Sequence, residues 1–193
     1  MKSPEEIIQS IFANNHGYLQ AKHLQRSSAL YDYLRKLVAS GEVIKLKAGL
    51  YKNEAMASAN EFQELSKIYP HGVICLQSAW SFYELTTQIP AFHTLAFPNK
   101  TKITLNAYPP IQAHYWSPKF YELEIVYHDG VRIYSLEKSI CDAIKFRNKI
   151  GIHEMRAILK NYLRRKDKDL NALFETAKIL NLDKKLRDYL NLV

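Results

Sequence analysis

The chain has 193 residues, 47% apolar and 24% charged, with 27 Lys and Arg against 19 Asp and Glu and a formal net charge of +8 at pH 7. These are globular values; they exclude a collagen-like, low-complexity or disordered chain, and the length suits one large domain or two small ones. Two cysteines, Cys75 and Cys141, are too few for a disulfide scaffold or a zinc knuckle. No apolar run approaches the roughly 18 residues of a membrane-spanning helix. Met1-Lys2-Ser3-Pro4-Glu5-Glu6 places acid where a secretion signal needs a basic start. The expectation is a soluble, cytoplasmic, basic protein with no membrane partner.

The charge is uneven. Residues 1–55 carry 8 basic and 5 acidic side chains, residues 56–134 carry 5 and 6, and residues 135–193 carry 14 and 8. Basic ends around a neutral middle suit a polyanionic partner, because clustered Lys and Arg attract phosphate at long range. A solvated, soluble surface accounts for the same numbers.

In chain order, Ser3-Pro4-Glu5-Glu6 starts a helix: Ser3 caps, Pro4 suits the first position and Glu6 closes a capping box. Ile7, Ile8, Ile11 and Phe12 form its apolar stripe, and Asn14-Asn15-His16-Gly17 ends it. Tyr18-Leu19 reads as a short extended link, and Ala21 to Gln25 as a short second helix with Ala21 and Leu24 inward. After a break at Arg26-Ser27-Ser28, a third helix runs from about Ser28 to Ser40, closed by Gly41. Leu30, Leu34, Leu37 and Val38 share one face of it, while Ser28, Asp32, Arg35, Lys36 and Ala39 point the other way. Residues 43–52 then alternate and turn at Ala48-Gly49, with Ile44 and Leu46 on one side of a hairpin and Lys45 and Lys47 on the other.

Helix, short helix, tight break, helix and basic hairpin are the order of a winged helix-turn-helix, expected over residues 1–55. Such a unit lays its last helix in the DNA major groove and reaches phosphate or the neighbouring groove with its wing. The candidate DNA-binding residues are Ser27, Ser28, Tyr31, Asp32, Arg35 and Lys36 on the helix, with Lys45 and Lys47 on the wing. Asp32 either accepts a hydrogen bond from a cytosine amino group or pairs with Arg35 or Lys36 along the helix. A three-helix interaction module without DNA contact also fits this order.

Residues 53–60 read as a linker or helix lead-in. A second domain, 56–193, is expected to be mixed α+β and to end in helices. Phe62, Leu65 and Tyr69 predict a helix stopped by Pro70, and Ser78 to Leu85 a mostly buried one. Strands are expected at Phe92 to Phe97, Ile111 to Trp116 and Leu123 to Tyr127, with Ile103 and Leu105 in another. Asp129-Gly130 turns into a return strand, Val131 to Tyr134. Helices follow over Leu136–Asn148, His153–Arg165, Leu170–Leu180 and Lys184–Leu190.

Enzyme chemistry finds little to stand on. There is no glycine-rich phosphate loop and no HExxH, GxSxG or CxxC. His128-Asp129 reads better as a turn than as a hydrolase pair, and Asp167-Lys168-Asp169 better as helix capping than as metal ligands. Lys138 and Lys145 can lower the Cys141 thiol pKa, but Ile140 and Ile144 beside it favour a small core residue. No catalytic residue, metal ligand or cofactor is assigned.

Two polar groupings remain in the C-terminal helices. Arg156, Lys160 and Arg164 share a face off the stripe of Ile152, Met155, Leu159, Tyr162 and Leu163; with Lys145, Arg147 and Lys149 they form a basic surface. It is either solvated or a contact for DNA or an acidic partner. Lys138, Asp142 and Lys145 lie at i, i+4 and i+7, as a local salt-bridge ladder or as a polar site.

Several segments carry a family resemblance: Gly17-Tyr18-Leu19, Gly49-Leu50-Tyr51, Leu76-Gln77-Ser78-Ala79-Trp80, Leu85-Thr86-Thr87-Gln88-Ile89-Pro90, and Val131 to Ser139 leading to Asp142, Lys145 and Arg147-Asn148-Lys149. In this order they resemble the AbiEi family, the antitoxins of AbiE-type toxin–antitoxin and phage-defence systems, over nearly the whole chain. The resemblance implies a winged-helix domain that represses its own operon by binding inverted repeats in promoter DNA. It also implies a C-terminal domain that counteracts a nucleotidyltransferase toxin encoded next door, as type IV systems do, without a required stable complex. Lys138 and Asp142 fall in a family signature and become a candidate antitoxin site. The recognition helix departs from the family pattern, as it must if each member reads its own operator. The alternative is a nucleic-acid- or nucleotide-modifying enzyme with the winged helix as its targeting module.

Overall fold

The computed structural model describes residues 2–57, 60–104 and 109–191. The chain divides into two compact units, Met1–Ile68 and Tyr69–Val193.

The first unit opens with α1 (Pro4–Asn14). The capping box forms as expected: the Glu6 amide donates to Ser3 Oγ at 3.2 Å and the Ser3 amide to Glu6 Oε2 at 2.8 Å. Tyr18 to Gln20 are more than a link. They form β1 (Tyr18–Gln20), whose three residues pair with Lys52, Tyr51 and Leu50. A 3-10 turn, Ala21–Leu24, follows, and Gln25 and Arg26 both take positive φ, 47° and 58°, which redirects the chain into α2 (Ser28–Ser40). Gly41 at φ 83° ends α2. The hairpin is β2 (Val43–Lys47) and β3 (Leu50–Asn53), and the antiparallel sheet has the order β1-β3-β2. Ile8, Phe12, Leu19, Leu24, Leu30, Leu34 and Val43 pack as its core.

The expected boundary at residue 55 falls too early. Asn60 caps α3 (Glu61–Ile68), its Oδ1 accepting from the Phe62 and Gln63 amides. That helix is bound into the first unit: Lys52 Nζ lies 2.5 Å from Glu64 Oε2, and the Tyr18 hydroxyl donates to the same oxygen at 3.3 Å. Desolvation, then the Glu64 carboxylate, push the Tyr18 pKa up to about 12. Nearby, Gly17 is required on two counts. Its φ is +82°, and a Cβ there would lie 2.4 Å from the Ala57 backbone nitrogen.

The second unit contains β4 (Val73–Ile74), α4 (Leu76–Phe82), β5 (His93–Pro98), β6 (Ile111–Trp116), α5 (Pro118–Tyr121), β7 (Ile125–His128) and β8 (Val131–Tyr134). Among the described residues these strands form one sheet in the order β6-β5-β4-β8-β7. The β4–β8 and β5–β6 pairs are parallel and the others antiparallel. Then come α6 (Leu136–Lys145), α7 (Arg147–Ile150), α8 (Ile152–Arg164), α9 (Leu170–Ile179) and α10 (Asp183–Leu190). The unit is mixed α+β, with most of its helices after its strands.

Several expectations change. Ile103 lies outside any strand, and Leu105 is outside the described residues. The helix expected over Leu136–Asn148 is two, parted at Phe146. Ile152 is exposed because it is the first residue of α8, and Ile158 takes its place beside Met155, Leu159 and Tyr162. Among the described residues no helix is long and apolar enough to cross a membrane.

Candidate nucleic-acid interface

The outward face of α2 is the one its periodicity dictates. Leu30 and Leu34 are buried, while Ser28, Asp32, Arg35, Lys36 and Ala39 lie on the open side. Ser27 is the N-cap with extended backbone; its carbonyl accepts from the Tyr31 amide at 3.2 Å, and its hydroxyl makes no capping bond. Tyr31 is half-buried. Arg35 Nη2 lies 3.5 Å from Asp32 Oδ1, with the two side chains 77% and 62% exposed. This is the local pairing foreseen for Asp32, and so exposed a pair contributes little stability. Arg35 therefore leaves it cheaply for another anion.

Arg35 also edges a cleft of about 220 Å³ shared with Tyr31, Leu34 and Val38 of α2, Lys45 of β2 and Tyr51 of β3. Helix and hairpin residues expected to act together are thus brought together: Tyr31, Arg35 and the exposed Lys45 on one cleft, with Lys36 and Ser28 on the same helix.

Lys47 does not join them. The register of β2 slips between Lys45, opposite Tyr51, and Lys47, opposite Leu50. That bulge inverts the alternation, so Lys47 shares a face with Ile44 and Lys52 rather than with Lys45. Its ammonium donates to the Ile68 carbonyl at the end of α3, and burial lowers its pKa. The hairpin therefore offers one outward lysine, not two. Ile44, expected on an apolar face, is exposed. Lys22 in the 3-10 turn and Arg26 two residues before α2 are both exposed, and sequence reasoning passes over them. The signal lies in their charge beside the helix break, which reads in sequence only as a breaker.

In the second unit, Arg156, Lys160 and Arg164 line the open side of α8, and Lys145 and Lys149 are exposed as well. Arg147 is partly consumed: its Nη1 donates to the Ile144 carbonyl at 3.1 Å, closing α6. Lys138 and Asp142 form the salt bridge that their i, i+4 spacing allows, but inside the unit rather than on its surface. Lys138 Nζ donates to both Asp142 oxygens, at 2.7 and 2.8 Å, and both residues are fully buried. The same ammonium lies 4.0, 4.3 and 4.8 Å from the ring centroids of Phe120, Tyr134 and Trp116. The stripe on α6 turns inward at this point because Ser139, Ile140, Cys141 and Ala143 are buried around it.

The residues weighed for catalysis have structural duties. Asp129 and Gly130 take positive φ in the β7–β8 turn. Asp169 Oδ1 caps α9 by accepting from the Ala172 amide, and Asp167 binds Arg165 through two oxygens. Burial pushes the Cys141 thiol pKa up, against the pull of Lys138. Among the described residues no group of three His, Cys, Asp or Glu side chains is placed to hold a metal ion. Comparison of the sequence with protein-family models and with curated proteins returns no match.

Proposed function

We propose that the chain is a DNA-binding antitoxin of the AbiEi kind, which represses its own operon and counteracts a nucleotidyltransferase toxin encoded beside it. In this reading the first unit is a winged helix-turn-helix, α2 its recognition helix and the β2–β3 hairpin its wing. The element order and the β1-β3-β2 sheet support that assignment. The observation that carries it is the cleft joining Arg35 of α2 to Lys45 of β2, because a groove-reading helix and a phosphate-touching wing must face the same duplex. Arg35 suits a guanine edge, Lys36, Arg26 and Lys45 suit phosphate, and Ser28 and Tyr31 flank the contact. The basic excess over residues 135–193, 14 against 8, suits a polyanion or an acidic partner.

Fluorescence anisotropy of the full chain on duplex from its own promoter, against a random duplex of equal length, tests the DNA half. Tighter binding to the promoter, abolished by Arg35→Ala, is expected; equal binding to both sinks it. Co-expression with the neighbouring toxin tests the other half. Growth restored by the intact chain supports it, and arrest that persists overturns it.

A further inference from the structure

We propose that the second unit carries a nucleotide pocket where β6 and α5 meet the α6–α7 junction. This site is independent of the DNA-binding reading. A cavity of about 370 Å³ lies there, lined by Tyr115, Trp116 and Phe120 from one segment and by Lys145, Phe146 and Lys149 from the other. Its size falls within the range of about 300–1,000 Å³ usual for small-molecule sites.

The rings are held as a platform. Trp116 stacks on Phe146 with centroids 6.3 Å apart and planes 16° apart, and meets Phe120 edge-on at 4.6 Å. It also stacks on Tyr134 at 5.2 Å. The buried Lys138 ammonium fixes Phe120 and Trp116 from within the unit. Tyr115, 48% exposed beside them, offers a ring at the open side. The buried rings hold the wall in place, and Tyr115 is the exposed ring of this wall that can take a nucleobase by stacking.

The cations are placed for phosphate. Lys145 Nζ lies 3.5 Å from the Phe120 centroid and Lys149 Nζ 5.7 Å from that of Phe146. Neither ammonium has a carboxylate partner within ion-pair distance among the described residues. Burial lowers the Lys145 pKa against the pull of the buried Asp142 carboxylate, which Lys138 already binds, so a bound anion would stabilise a partly desolvated charge. His114, also on the cavity wall, has its pKa lowered by burial and then by Lys149. A larger cavity of this unit, about 580 Å³, contrasts with it. Its cation, Arg165, is already bound to Asp167 and to the Tyr83 carbonyl. Two lysines that, among the described residues, form no ion pair, beside the exposed Tyr115 ring, point to a base-plus-phosphate ligand, a nucleoside phosphate.

The full chain supplies its own probe. Its two tryptophans are Trp80, fully buried, and Trp116, on the cavity wall. Titration with ATP, GTP and AMP should quench fluorescence saturably, with matching calorimetry, and should raise the His114 pKa followed by NMR as phosphate offsets Lys149. Lys149→Glu, at an exposed position, should weaken binding about tenfold or more. Tyr115→Ala should weaken nucleotides while leaving pyrophosphate unchanged. An unaltered near-ultraviolet circular dichroism spectrum checks that each variant folds. Three results overturn the proposal: no saturable binding at millimolar nucleotide, nucleotide affinity indifferent to Lys149→Glu, or pyrophosphate binding as tightly as ATP. Binding of oligonucleotides but of no mononucleotide also overturns it, and assigns the surface to nucleic acid.

Discussion

Lys138 Nζ lies 2.7 and 2.8 Å from the two carboxylate oxygens of Asp142, one helical turn away on α6, and neither side chain reaches solvent. At the surface such an i, i+4 pair would contribute a few tenths of a kcal/mol. Inside, removing one partner strands the other charge. Asp142→Asn leaves the ammonium only its aromatic faces, and Lys138→Met leaves a bare carboxylate. Each should destabilise the second unit by about 3–5 kcal/mol, and the double replacement Lys138→Met/Asp142→Leu by less than the sum. Urea unfolding followed by tryptophan fluorescence reads this unit alone, since Trp80 and Trp116 both lie in it. A shift below about 1 kcal/mol for either single change would show the pair to be a bystander.

Lys45 and Lys47, two residues apart in the chain, should behave differently in every assay. If the first unit binds DNA as proposed, Lys45→Ala should weaken binding to promoter and random DNA alike and reduce the salt slope by about one, as removal of a phosphate-binding cation does. Lys47→Ala should leave the slope unchanged and instead loosen α3, because its ammonium binds the Ile68 carbonyl. Arg35→Ala should cost about 1–3 kcal/mol on the promoter and less on random duplex. Anisotropy across a salt series separates the three. A lower slope with Lys47→Ala would mean that the bulge does not keep that side chain from DNA.

What the sequence disclosed and what it hid follow from the range of the interactions. The capping box at Ser3, the stop at Gly41 and the two faces of α2 are local, and each stands where periodicity places it. Tyr18 to Gln20 carry too short a pattern to declare a strand; pairing with Lys52, Tyr51 and Leu50 makes them one. The alternation over Val43–Lys47 is regular on paper, and a bulge that no residue type announces inverts its end. The spacing of Lys138 and Asp142 announces a local salt bridge, which forms, but not its burial, because charge usually faces water. Only the fold reveals that Phe120, Tyr134 and Trp116 enclose the lysine. Of the candidate site, the helix half was legible and the hairpin half only to Lys45.

Gly17→Ala should unfold or badly weaken the first unit while sparing the second. The left-handed φ costs an alanine about 1–2 kcal/mol, and its Cβ would meet the Ala57 backbone at 2.4 Å, which no side-chain rearrangement relieves. Far-ultraviolet circular dichroism should show an early transition, with the tryptophan-detected one unchanged. A wild-type profile would mean that the turn after Asn53 yields freely.

His114 should make the second unit acid-sensitive. Burial, then Lys149, hold its pKa below the ordinary 6.5 in the folded chain. The unfolded chain therefore takes up the proton first. The stability that this group contributes is present above the unfolded value and declines as pH falls from there toward the folded value. His114→Gln should flatten that part of the tryptophan-detected stability profile between about pH 7 and pH 5. An identical slope in the variant would assign the acid sensitivity to another group.

Arg156, Lys160 and Arg164 lie along the open side of α8, opposite the buried Met155, Ile158, Leu159 and Tyr162. Reversing all three to Glu should therefore leave the unfolding midpoint close to that of the parent, since exposed positions rarely matter by more than about 0.5 kcal/mol each. If the face holds phosphate, the triple variant should bind promoter and random duplex more weakly by similar factors. Its salt dependence should also be shallower, by about one unit of slope for each phosphate that the face no longer neutralises. Sequence preference should persist, because phosphate contacts carry none. The contrast with Arg35→Ala is the informative part: that variant should lose preference, and this one should lose only strength. If the triple variant binds DNA normally and fails to relieve toxin-induced growth arrest, the α8 face acts in neutralisation. If both activities survive, its three charges do no more than keep the helix in water.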